Sequence, residues 1–310
     1  MTRKFTLFSV LLRPSRYIRL LALSLLFITA SWPVAIKLPI IRSHNGNIEK
    51  DYPLIDQHIY SSNGTGGANS WNPKILPWVE LWLEASINLE HGPAMAYLFW
   101  DDVGMRSLIQ EFENDFLDTY DSILTPVERS DVFRILVCKH FGGIYGDLDT
   151  ELIQHPASWI GPSDITTWTD GETGSYYGYH NDSTMLDDET RVVNLLWGLE
   201  ADNDPNSDAY WRQSYTYPQQ LSQWAFAAAP HHPIVTRYMD TLRSYTKDNE
   251  TAALNSDPLK RTGPAAVTLA TKSWLEDHVG FRWTSLTGVK DGGRPKLVND
   301  ILVLPITAFQ

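Results

Sequence analysis

The sequence predicts an α/β domain built on a mostly parallel sheet. Three observations carry that expectation. Segments with helical apolar spacing alternate with short apolar runs, each run is bounded by polar or glycine residues, and one such run ends in a cluster of carboxylates. Alternation of this kind is the pattern of helices packed on a parallel sheet. Ligands of such sheets gather at the carboxyl ends of the strands.

The elements follow in order. Leu76 to Leu89 reads as a helix, with Trp78, Leu81, Trp82 and Ile87 near helical spacing. Ala96 to Trp100 reads as a short buried strand that ends at Asp101-Asp102. Met105 to Phe116 is an amphipathic helix, since Leu108, Ile109, Phe112 and Phe116 recur at i, i+3 and i+4. Val127 to His140 is a further helix stopped by Gly142-Gly143. Ile144 to Asp149 follows as a strand that turns acidic at its end. Apolar patterning persists from Trp71 to the end without repeat or second linker, so residues 71–310 read as one catalytic domain.

The start of the chain is different. Arg3, Lys4, Arg13, Arg16 and Arg19 precede the first acid, Glu49, and the run from Leu20 to Ile36 carries no charge. That run sits at the short end of the roughly 17 to 25 residues a spanning helix needs, and Lys37 can snorkel to lengthen it. Residues 1–19 are therefore expected as a cytoplasmic tail, 20–36 as a transmembrane signal anchor and 37–70 as a stem. The basic flank predicts that the tail stays cytoplasmic. The competing reading is a cleaved signal peptide, with Thr29-Ala30-Ser31 as the small-residue cleavage region. Both send the chain into the secretory pathway. Sequons at Asn63, Asn181 and Asn249 agree with that route.

Charge narrows the ligand. The formal net charge is −12, which excludes a nucleic-acid binder that neutralises phosphates with Lys and Arg. It leaves room for a nucleotide ligand whose phosphates are balanced by a divalent cation. The single cysteine, Cys138, lies in the apolar run 135–138 and reads as a buried hydrophobe.

The chemistry concentrates between residues 128 and 151. Asp131 and Arg134 are three apart on the same helix and share a face. The planar guanidinium fork suits a phosphate or carboxylate. Asp147 and Asp149 alternate with Leu148, which in a strand places both carboxylates on one side. Two such close acids repel unless a cation lies between them or one is protonated. Mn²⁺ or Mg²⁺, completed by substrate phosphates, is the expected occupant.

The blocks S-D-x-x-R, G-G-x-Y-x-D-x-D-T, Gly198-Leu199-Glu200-Ala201-Asp202, Gln223-Trp224, Pro230-His231-His232-Pro233 and Thr262-Gly263-Pro264 resemble those of the fungal initiation-specific α-1,6-mannosyltransferase family, glycosyltransferase family 32. Glycosylating toxins share the first two. The resemblance implies a GT-A-like (Rossmann-like) nucleotide-sugar-binding fold, a GDP-mannose donor, a mannose-containing N-glycan acceptor, retention of configuration and a Golgi location with the domain lumenal. It implies that Asp131, Arg134, Tyr145 and Asp147 bind the donor, and that Asp147 and Asp149 hold the metal. Glu200 and Asp202, same-side carboxylates if extended, are candidate catalytic groups. His232 is expected to bond structurally rather than to ligate metal. Trp78, Trp82 and Trp197 either line an acceptor cleft or belong to the core.

Three departures accompany the resemblance. The family's first strand has only Ile55-Asp56-Gln57 as a counterpart. His231 replaces a glycine, and the chain stops at Gln310, before the family's H…G-S-W-K-like segment. Other readings are transfer of mannose to inositol phosphorylceramide, and a non-catalytic subunit of a glycosyltransferase complex.

Overall fold

The computed structural model describes residues 42–44, 47–49, 54–57, 74–88, 90, 95–123, 125–178, 193–248, 257–289 and 292–308. The expected tail and membrane helix, and Asn63, Asn181 and Asn249, lie outside the described residues. Among the described residues no helix is long and apolar enough to cross a membrane.

The chain begins with a small antiparallel hairpin, β1 (Arg42–His44) and β2 (Asn47–Glu49). The main sheet then takes β3 (Leu54–Gln57), β4 (Tyr97–Trp100), β5 (Gly143–Asp147), β8 (Leu195–Asp202), β10 (Ala225–Ala228), β11 (Lys296–Val298) and β12 (Ile301–Leu304), in the order β11-β12-β8-β10-β5-β3-β4. β3 runs parallel to both β4 and β5, and β12 runs parallel to β8. β10 is inserted antiparallel between β5 and β8, and β11 pairs antiparallel with β12 at the edge. Two strands, β6 (Trp168–Thr169) and β7 (Tyr176–Tyr177), pair outside this sheet, and β9 (Gln219–Leu221) pairs with the far end of β8.

β3 falls inside the stretch read as a stem, yet its backbone fills the slot between β4 and β5, with Gln57 in register with Asp147. Four residues are too few to show a period, so its place is decided by the two strands that flank it. Its backbone pairing, rather than a pattern of its own, fixes it there.

Side chains alternate across the sheet as the pleat requires. Tyr145, Leu195, Trp197 and Val303 enter one core cluster. Ile144, Leu196 and Leu302 enter the other, on the opposite face. The first cluster is covered by α2 (Asp102–Phe112), α3 (Leu117–Ser122), α4 (Pro126–Phe141), α6 (Pro233–Asp248) and α8 (Pro264–Val279), with the short α7 (Pro258–Arg261) just before α8. The second is covered by Trp82 from α1 (Leu76–Ile87), with Ile160 and Ile165. Trp197 is buried and stacks on Phe226, so it is a core residue. Cys138 is fully buried and its thiol is pushed well above the usual range by that burial.

Helix α4 positions the site. Thr125 caps its first turn by accepting from the Glu128 N–H at 3.3 Å, and Pro126 starts it. Gly142 ends it with φ +67°. A Cβ there would lie 2.6 Å from Cδ of Pro230. Gly142→Ala therefore meets both an unfavourable φ and a rigid ring, and is expected to lower unfolding free energy by about 2–4 kcal/mol. Denaturant unfolding checks this; a loss under about 1 kcal/mol means the Pro230 turn yields. Where the family has glycine, His231 sits at φ +58° and donates its N–H to Lys139 O at 2.7 Å. His231 thus takes the left-handed conformation that glycine adopts most readily.

Candidate functional site

The carboxyl ends of β5 and β8 and the start of β10 meet the middle of α4. Asp131 and Arg134 come from α4, Tyr145 and Asp147 from β5 and Glu200 from β8. Arg134 lies 3.3 Å from Asp131 Oδ1 and 3.3 Å from Asp147 Oδ1. The Tyr145 hydroxyl donates to the same Asp147 oxygen at 2.6 Å, and the guanidinium carbon sits 5.4 Å from the Tyr145 ring centre. Thr262 donates to Asp131 Oδ2 at 3.0 Å. Asp131, Arg134 and Asp147 are 6%, 5% and 7% exposed, so this is a buried charge cluster.

Burial sets its electrostatics. It pushes the Asp147 carboxyl up to about 6 against the opposing pull of Arg134 and the Tyr145 hydroxyl. It raises Asp131 as well, again against Arg134 and Thr262. Gln223 sits beside Asp131 and weakly favours its charge, yet no hydrogen bond of normal geometry holds either end of its amide. Burial works against the Arg134 charge, but Asp147, Tyr145 and Asp131 outweigh it and keep the guanidinium protonated. Its Nε has no partner, although it is buried. An orphaned donor and an orphaned amide beside the same Asp131 are groups a ligand would satisfy.

The carboxylates of 147 and 149 part company. The strand ends at Asp147, and residue 150 closes a turn: Thr150 donates to Asp147 O from its N–H at 3.0 Å and from Oγ1 at 2.5 Å. Leu148 is buried as expected, but Asp149 is exposed. The turn is buttressed by Trp82, which donates its indole N–H to Thr150 O at 3.1 Å. Trp82 also packs so tightly on Gly146 that a Cβ there would lie 3.0 Å from the ring. Trp82 supports the acidic turn from the core; Trp78 is half-buried on the same helix.

Glu200 and Asp202 also diverge. The pairing of β8 with β9 shifts register between Leu199 and Ala201, and the bulge re-aims the chain. Glu200 feels Arg134 and Asp131 and accepts from Gln220 Nε2 at 2.7 Å. Asp202 instead accepts from the Gly288 N–H at 2.7 Å, which ties down the loop before β11. His232 is buried, accepts from the Ile234 N–H at 3.3 Å through Nδ1 and faces Asp300 across 3.6 Å, a structural placement. Gln220 and the Trp82 brace were not foreseen. Both act across strands or helices far apart in sequence, and no local pattern marks them.

Burial raises the Glu200 carboxyl to about 7, ahead of the opposing Gln220 bond and Arg134. Such a group favours folding at low pH and loses that contribution as pH rises from its unfolded value, about 4.3, through 7. Glu200→Gln should remove this slope, gaining about 1–3 kcal/mol on the wild type between pH 5 and 8. Stability curves that stay parallel over that range would refute the half-buried, coupled Glu200.

Among the described residues no three carboxylate, imidazole or thiol groups cluster as a protein-only metal cage. What the chain offers a hard cation is the exposed Asp149 beside the buried Asp147. That set fits an ion whose remaining ligands are substrate phosphates and water, the habit of Mg²⁺ and its relatives.

Residues 82–166 match the model of the glycosyltransferase sugar-binding region containing DXD motif. The initiation-specific alpha-1,6-mannosyltransferase of Schizosaccharomyces pombe is 29% identical over 227 residues, 70% of this chain and 50% of that one. A putative glycosyltransferase of Saccharomyces cerevisiae is 26% identical over 212 residues, 63% and 45% of the two chains. A mannosyl phosphorylinositol ceramide synthase of the same yeast is 38% identical, but over 61 residues, 20% and 16%. The chain thus spans about half the length of the first two curated relatives. Among solved structures the PaToxG glycosyltransferase aligns over 87% of this chain and 80% of that one at 14% identity and a TM-score of 0.40, too distant for any residue to be carried across.

Proposed function

Starting from a chain whose residues 82–166 match a DXD-type glycosyltransferase region, we propose that it is a retaining mannosyltransferase moving mannose from GDP-mannose to a mannose-containing N-glycan in the Golgi lumen. The observation that carries the reading is the buried Asp131–Arg134–Asp147–Tyr145 cluster at the carboxyl edge of the sheet, with unsatisfied Arg134 Nε and Gln223 groups. The sequence relationship to alpha-1,6-mannosyltransferases supports the choice of sugar. The match to the ceramide synthase is much shorter, and the Glu200 block resembles the glycan branch, so a lipid acceptor is the second choice.

In this reading Asp131 and Arg134 hold the donor, with Tyr145 and Asp147 fixing Arg134 from the other side. Three carboxylates face one guanidinium here, so a diphosphate would add negative charge to a negative pocket. Asp149, with Asp147 behind it, would hold the balancing Mn²⁺ or Mg²⁺. When bound, that ion neutralises the diphosphate and eases its departure. The bond from the anomeric carbon to the diphosphate breaks with its electron pair leaving on GDP. The acceptor hydroxyl forms the new bond on the same face. Glu200, with a proton affinity near neutrality, is placed to orient that hydroxyl and take its proton. Asp202 acts through the loop it anchors.

The test is transfer from GDP-mannose to a high-mannose oligosaccharide by the full chain with Mn²⁺, with the anomeric configuration of the product read by NMR. An α-mannoside product supports the reading. A β-product, or UDP-sugars as the sole donors used, would sink it.

A further inference from the structure

The reading above leaves the acceptor without a binding surface, and one excursion of the chain is built to supply it. Between β8 and β9 the chain leaves the sheet for residues 203–218, at the same carboxyl edge as Glu200. Ordered loops of this length in a compact domain are mostly functional. Its base is closed twice: Asn203 N–H donates to Pro218 O at 2.9 Å, and Gln219 Nε2 donates to Asn203 O at 2.6 Å. Its body is wound by Ser214 N–H to Trp211 O and Tyr215 N–H to Tyr210 O, at 3.1 and 3.0 Å. The buried Gln220 then joins it to the site. One end of its amide accepts from the Thr216 and Tyr217 N–H groups at 2.9 and 3.3 Å, and the other donates to Glu200.

On this held loop the short helix α5 (Ala209–Arg212) presents Trp211, 57% exposed. The Arg212 guanidinium lies 5.2 Å from the centre of the indole and also donates to Asp208 at 3.2 Å. The guanidinium, held by the Asp208 carboxylate, lies over the ring, and an indole more than half exposed beside such groups suits a pyranose. The apolar C–H face of the sugar stacks on the ring, and these polar groups reach its hydroxyls. A membrane-seated tryptophan would have no use for a backbone tether to the half-buried Glu200 carboxyl.

We infer that the 203–218 loop, through Trp211 and Arg212, is a glycan acceptor subsite, and that Gln220 sets its position relative to Glu200. The inference rests on the glycosyltransferase reading, and it is tested without turnover. Saturation-transfer NMR with the full chain and a high-mannose oligosaccharide compares wild type, Trp211→Ala and Trp211→Phe. The expected result is binding by the wild type, weakened at least tenfold in Trp211→Ala and largely restored in Trp211→Phe. Equal binding by all three, no binding by the wild type, or loss of anionic-vesicle association in place of sugar binding overturns it. In transfer assays the acceptor KM should rise at least tenfold in Trp211→Ala, while the Kd for GDP-mannose keeps its wild-type value. A wild type that binds oligosaccharide but not GDP-mannose contradicts the donor reading and leaves the subsite standing.

Discussion

Arg134→Met should cost about 3–5 kcal/mol of unfolding free energy and abolish donor binding. The side chain is 5% exposed and sits between Asp131 and Asp147, which are as deeply buried. Removing it strands two carboxylates in low dielectric, and a lone buried charge costs far more than a paired one contributes. The loss has a pH signature. With Arg134 gone, burial raises both acids further, so each takes a proton more readily. The deficit should be greatest near pH 8 and shrink toward pH 5, as protonation relieves the stranded charges. Adding Asp131→Asn to Arg134→Met should recover part of the stability, since it removes one of those charges. Urea unfolding of the single and double variants at both pH values checks this. A deficit below about 1 kcal/mol, or one that grows on acidification, contradicts a buried ion cluster.

Asp149→Ala should do the opposite: leave stability within about 0.5 kcal/mol and lower transfer by at least a hundredfold. Asp149 is exposed on the turn after β5. Its charge acts unfavourably on the fold, since it helps raise the Asp147 carboxyl. Removing it should therefore ease Asp147 slightly downward. In the proposed reaction it is the most accessible carboxylate for a cation carried on a diphosphate. Loss of activity without loss of fold separates a ligand residue from a structural one. Unfolding on substitution, or activity near the wild type, would mean the exposed carboxylate holds no ion.

Asp131 and Arg134 were legible because an i, i+3 pair on a helix has a fixed geometry, and α4 carries both into the site. The strand read over Ile144 to Asp149 was legible as far as Asp147, where the structure ends it. The relation of Asp147 to Asp149 was not, because a single turn closed by Thr150 decides it. Extension alone would have kept Glu200 and Asp202 on one side; the bulge against β9 sends them to different partners. β3 carried no period of its own inside the stretch read as a stem; only the resemblance marked it, through Ile55-Asp56-Gln57, and its place is decided by the two parallel strands that flank it. Gln220 could not have been picked out among the glutamines. Its role depends on both ends of its amide finding partners brought there by the hairpin.

The most direct test of the central claim is a calorimetric titration of the full chain with GDP-mannose, with and without Mn²⁺. The account predicts binding that requires Mn²⁺ and disappears in Asp149→Ala. A folded wild-type protein that does not bind GDP-mannose in the presence of Mn²⁺, or that binds it equally well without the ion and without Asp149, would contradict it.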